Sequence, residues 1–466
     1  MTVSRRGALL AGGFGLGAAA VGGGYAVATH QKPEPLAPAA TDAQGHLLWR
    51  NWSGVQHAYP SARIAPQSEA EVATALNTAL APIRAVGAGH SFTALAPTEG
   101  TLLSLDALSG ILAWEGTEAI VAAGTRLGAL GLALAQNGRA MANLPDTDKP
   151  TLAGALATAT HGAGLHLKAL HGDVTALRLI TPNGKAIDCD ATHRPEIFQA
   201  AKVSLGCLGV ITQARIRTVT NRRIERRVWL EPFDDTLAKA EARWATHRNF
   251  EFHAVPFTGL AVNITHDEAD KPALPRGPDQ DTAFLDALKG LRNLLGFSTP
   301  LRKVAARTLL AGAKPELAID ESWKLRSARP PARFNAMAFH LPADMQLKAL
   351  AEVVATIEKH RPEVFFPIKA SRTAPDDAWL SPFQGEPTGS IAVHTDRKDE
   401  FAFLYTLIEP IFRRYEGRPH WGKLHSVSGD QLAALYPRWK DFLRVRAALD
   451  PDMRMLNPYL KGLFGL

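Results

Sequence analysis

The chain holds two cysteines in 466 residues, Cys189 and Cys207. One pair builds neither a disulfide framework nor a cysteine metal site, and a single optional disulfide between them stays open. Charge of one sign is also scarce in any single place. The formal net charge of +7 is spread along the sequence, and basic residues neither run together nor interleave with aromatics, which counts against nucleic acid as a partner. A metal centre is missing from the pattern too, because His166 and His171, in HLKALHGD, have no ligand constellation around them. The dinucleotide fingerprint lacks its third glycine: in RAVGAGHSF, residues 84–92, that place is Phe92. There is no internal repeat.

The first 28 residues carry adjacent arginines, Arg5 and Arg6, then an uncharged Ala/Gly/Leu-rich run that closes on Ala26, Val27 and Ala28 in the small-x-small form of a cleavage site. This reads as a twin-arginine export signal feeding the periplasm, with an uncleaved membrane anchor as the alternative, since the run is long enough to span a bilayer at ~20 residues. Twin-arginine export carries folded proteins, which suits a chain that first acquires a cofactor. Removal of the segment leaves a charge of about +5.

The remaining length exceeds what one core supports, so two domains are expected. After a linker over 29–45, residues 46–220 alternate short apolar runs with glycine or proline turns (IRAVGAG, LLSLD, AIVAAG, ALRLITPNG, GVITQARIRTV) around one helical stretch, LGALGLALAQNG. This predicts an α+β domain. Over 221–425 strands and helices lengthen, and HDEADKPALPRGPDQD reads as a surface loop or lid. Residues 426–466 return to helix and turn.

Several motifs carry chemistry. Gly87 and Gly89 let backbone amides turn toward a pyrophosphate without obstruction by Cβ, and the Ser91 hydroxyl adds a donor. In PTLAGALATATHGAG, residues 150–164, glycines and alanines keep side chains small where a flat ring or a diphosphate lies against backbone, although plain close packing has the same composition.

These motifs, with LGCLGVIT at 205–212, resemble the FAD-binding (PCMH-type) domain of the vanillyl-alcohol oxidase superfamily. RPHWGKLH at 418–425, preceded by DDAWLSPF at 376–383, is similar to its aldonolactone and alditol oxidase branch, which includes the D-arabinono-1,4-lactone oxidases. The resemblance implies a two-domain α+β fold, an FAD domain plus a substrate cap with an antiparallel sheet and flanking helices, the C-terminal segment returning to the FAD domain. It implies an FAD cradle of Arg84, Gly87, Ala88, Gly89, His90 and Ser91, then Thr151, Gly154, Ala155, Thr158, His161 and Gly162, then Gly209 and Val210. His90 is the implied covalent attachment point. On the substrate side it implies Lys423, His420 and His394.

One departure stands out. The resembled branch places a glutamate, one residue and an arginine ahead of Asp376 and Asp377; here Lys369 and Ser371 occupy those places, and Arg372 would reach the site only through a one-residue bulge. The expected activity is oxidation of a sugar lactone or polyol with O2 as acceptor, giving hydrogen peroxide. The alternatives are a dehydrogenase delivering electrons to a respiratory quinone or cytochrome, and a flavin-containing binding protein with a degraded site.

Overall fold

A computed structural model describes residues 38–277, 281–310, 313–326 and 332–466. The export reading falls on residues 1–28, outside the described residues. Strands Ala62–Ile64, Thr101–Ser104 and Ile83–Val86 form a small parallel sheet with Thr101–Ser104 in the middle. Five antiparallel strands form a second sheet, in the order Ala186–Asp190, Val174–Ile180, Val210–Arg217, Glu118–Ala122, Ile111–Glu115. Glu69 ties helix Glu69–Thr78 to this sheet by accepting from Arg178 Nε (2.9 Å) and Gln213 Nε2 (3.0 Å), while Ser68 caps the same helix through Glu71 N.

The second half of the chain builds an eight-stranded antiparallel sheet. Its order is Glu316–Glu321, Arg223–Pro232, Leu260–Glu268, Asn249–Val255, Ile368–Thr373, Thr388–Asp396, Phe334–Pro342, Arg418–Pro419. One face packs on helices Phe233–Thr246 and Gln346–His360. The latter buries Gln346, Ala349, Leu350, Val353 and Ile357, a spacing of three and four that puts them on one side of the helix. Each large aliphatic chain so buried stabilises by about 1.5–3 kcal/mol. The opposite face looks toward the first half of the chain.

Of the segment read as a surface loop, the described residues 269–277 do run as loop, and the exceptions lie at its start and at one tie to the sheet. His266 to Glu268 belong to strand Leu260–Glu268, and Leu274 exchanges backbone hydrogen bonds with Ile319, so the chain lengthens the sheet by pairing with a strand some forty-five residues later that local sequence does not announce. The C-terminal helices Gly429–Leu435, Trp439–Leu449 and Pro458–Phe464 close against the first half. Asn457 caps the last of them through Leu460 N and donates to the Ala94 and Pro97 carbonyls, 2.8 Å each. Cys189 and Cys207 are buried free thiols. Among the described residues no helix is long and apolar enough to cross a membrane.

Candidate active site

A cavity of about 510 Å³ lies between the glycine-rich loops of the first half and the free face of the large sheet. Its first wall starts where strand Ile83–Val86 ends. A Cβ on Gly87 would stand 2.3 Å from Thr151 Oγ1, and Gly89 adopts φ +66°, so the chain turns sharply and keeps its backbone bare. Among the described residues none accepts from the amides of Ala88, Gly89, His90 or Ser91. Thr151, capping helix Leu152–Ala157 through Gly154 N, faces the same space with Gly154 and Thr158. Gly209, at φ +130° and with Ile180 O only 2.4 Å from where a Cβ would sit, completes the wall with Val210. Unclaimed amides beside a surface stripped of side chains fit the diphosphate and flat ring of FAD.

Two of the expected cradle residues do not line this cavity. Ala155 is buried on the inner side of its helix, and Gly162 packs on Asn143 and the Leu144 carbonyl. Arg84 touches the cavity, but four of its five N–H groups go to the carbonyls of Leu95, Leu205, Gly206 and Met455. It is a clamp joining three distant segments, and burial lowers its pKa to about 10.

The HWGK loop is fastened to the glycine loop. Phe92 N donates to Gly422 O (2.8 Å), Thr93 Oγ1 to Trp421 O (2.6 Å), and Trp421 Nε1 to Leu380 O (2.6 Å) while stacking on Tyr436. This places Lys423 over the Phe92 ring, its Nζ 4.6 Å from the centroid, with no carboxylate of the described residues in ion-pair contact. Burial lowers its pKa to about 8. Around it stand imidazoles kept neutral. Burial and then the Lys423 charge bring His90 to about 4 and His394 to about 3, and hold His420 well below the ordinary histidine range. His90 stacks on Trp52 at 5.2 Å. His420 Nδ1 accepts from Gly422 N (3.0 Å), which assigns its proton to Nε2. The His161 ring meets those of His340 and Phe383 at 5.0 and 4.9 Å, and burial lowers its pKa to about 4.

The sheet supplies the remaining wall. Strand Ile368–Thr373 pairs with both neighbours without a register shift, so Lys369 and Ser371 face the cavity and Arg372 faces away. Arg372 lies over Trp244, donates to Gln346 Oε1 (2.6 Å) and pairs with Glu241 (2.6 Å). This corrects its expected place in the site: no bulge interrupts the strand, and the helix face holds its partners.

Lys369 Nζ instead reaches Asp146 Oδ1 at 2.7 Å and Glu251 Oε2 at 2.9 Å. Asp146, Glu251 and the neighbouring His253 were not marked by sequence reading. They come from a loop and a strand with no local motif, and the unusual Lys369 was the one signal that a carboxylate should be sought nearby.

Residues 60–190 match the FAD-binding domain family, and residues 214–463 match the D-arabinono-1,4-lactone oxidase family. The chain is 32% identical to the L-gulono-1,4-lactone dehydrogenase of Mycobacterium tuberculosis over 427 residues, covering 90% of this chain and 99% of the relative. It is 28% identical to the bovine L-gulonolactone oxidase over 90% of this chain and 98% of the relative, and 27% identical to a Streptomyces alditol oxidase over 81% and 89%. A solved cholesterol oxidase from B. sterolicum shares the fold, with TM-score 0.72 at 17% identity over 93% of this chain and 100% of that one. Fold, cradle and matches define an FAD-dependent oxidoreductase acting on CH–OH groups. The chain belongs to the D-arabinono-1,4-lactone oxidase family.

Proposed function

We propose that the substrate is a sugar 1,4-lactone or a related polyol, oxidised at one CH–OH group. The carrying observation is a buried ammonium, Lys423, with no carboxylate of the described residues in ion-pair contact and ringed by neutral imidazoles where the glycine loop meets the sheet wall. FAD, when bound, supplies a hydride acceptor. Lys423 balances the negative charge that builds up as hydride leaves the substrate. His394, kept neutral by burial and by the Lys423 charge, lines the cavity and would accept a hydrogen bond that orients the substrate hydroxyl. His420, whose Nδ1 is already an acceptor, positions rather than deprotonates. His90, neutral at physiological pH, is the residue that would hold the flavin covalently.

The acceptor is O2, giving hydrogen peroxide. A respiratory quinone or cytochrome is the second reading, favoured by the dehydrogenase name of the mycobacterial relative. Residues 1–28 direct the folded protein to the periplasm by the twin-arginine route.

Anaerobic mixing of the holoenzyme with a panel of lactones and polyols tests the reading. A neutral sugar lactone or polyol should bleach the flavin, and admitting air should restore its colour within seconds. Slow recolouring that a quinone accelerates would replace O2 as the acceptor; a flavin bleached by no member of the panel would overturn the substrate assignment.

A further inference from the structure

Lys369 spends its ammonium entirely on protein carboxylates. Nζ lies 2.7 and 2.5 Å from the two Asp146 oxygens and 2.9 Å from Glu251 Oε2, and an ammonium has three donors. The carboxylates are not spent. Each has about four acceptor positions; Lys369 donates to two on Asp146 and meets Glu251 Oε2 as an ion pair, and that oxygen accepts no hydrogen bond among the described residues. Asp146 sits deep in the molecule, yet its side chain is 56% exposed because it opens onto the cavity. Burial would raise its pKa, but the Lys369 charge outweighs this and holds it below the carboxylate range; Glu251 is held down in the same way. Both are therefore ionised acceptors. His253, paired with Lys369 across the strands and also lining the cavity, is kept neutral by burial and by Lys369, and adds no charge. The array thus offers ionised hydrogen-bond acceptors, with Arg326 and Lys423 as further cations of the same cavity.

We infer that Asp146 and Glu251 are specificity-determining residues that accept hydrogen bonds from substrate hydroxyl groups, with Lys369 positioning them. Asp146 stands on a loop of the first half and Glu251 on the sheet, side by side on one ammonium, so neighbouring hydroxyls of one substrate can meet both. The chemistry selects a polyhydroxylated compound over its deoxy analogue. This inference rests on the proposed substrate class.

The test uses the holoenzyme and single-turnover flavin reduction. Glu251→Gln and Asp146→Asn should each raise the half-saturating concentration of a polyhydroxylated substrate by 10-fold or more while leaving the limiting reduction rate within about 3-fold. For an analogue lacking the contacted hydroxyl, variant and wild type should differ by less than about 2-fold. Lys369→Met should show the affinity loss together with a lower melting temperature, separating positioning from contact. Equal affinity losses for hydroxylated and deoxy compounds, or wild-type affinity in both variants, would overturn the assignment while leaving the substrate class intact. A wild-type flavin reduced by no polyhydroxylated compound would overturn both.

Discussion

His90 shows how far a single residue can be read. GAGHS put a histidine at the lip of a glycine turn, and the structure adds the physical state of that ring: half-buried, stacked on Trp52, and with its pKa brought to about 4 by burial and by Lys423. A nitrogen that is to bond carbon must carry a free lone pair, and at pH 7 this imidazole does. Acid-precipitated enzyme should therefore stay yellow, and His90→Ala should release its flavin to the supernatant under the same treatment; a colourless wild-type pellet would remove the covalent bond and leave FAD binding standing. Asp146 and Glu251 mark the other limit. An acid in a loop and an acid in a strand look like solvated charges until the fold places both on one ammonium.

At the scale of elements, the strand Ile368–Thr373 explains why Arg372 misled the reading. In IKASRT the side chains alternate faces, and sequence alone does not say whether a bulge intervenes; the unbroken pairing with Asn249–Val255 and Thr388–Asp396 decides it. The turn-bounded strands of the first half were legible because each apolar run stops at a glycine or proline, whereas the pairing of Leu274 with Ile319 was hidden by its sequence separation. The proposed leader, residues 1–28, rests on composition alone. Replacing Arg5 and Arg6 together by lysine should strand folded, flavin-loaded enzyme in the cytoplasm, seen by fractionation as yellow protein that retains residues 1–28. Normal export of that variant would contradict the twin-arginine route.

At the scale of the whole molecule, the site exists because segments far apart in sequence are fastened together. Arg84 clamps residues 95, 205–206 and 455; the HWGK loop is bonded to the glycine loop; and the large sheet closes the cavity. The product of that assembly is a buried ammonium, Lys423, with no carboxylate of the described residues in ion-pair contact, kept at some cost to folding because its pKa is lowered from 10.5 to about 8. Below about pH 8 Lys423 is charged and available; as pH rises through that value the charge, and with it the stabilisation of the hydride-transfer step, is lost. The most direct measurement is anaerobic stopped-flow flavin reduction at saturating lactone from pH 6 to 10, comparing wild type, Lys423→Met, and Arg372→Leu as a control on the opposite face of the sheet. The wild-type rate should fall above about pH 8. Lys423→Met should be slower by roughly 10²-fold, about 2.7 kcal/mol of transition-state stabilisation, and flat across that range, while folding at least as stably. Arg372→Leu should keep the wild-type rate and pH profile. A Lys423→Met enzyme that reduces its flavin at the wild-type rate, with the wild-type pH profile, would contradict the assignment of this cation to the chemical step.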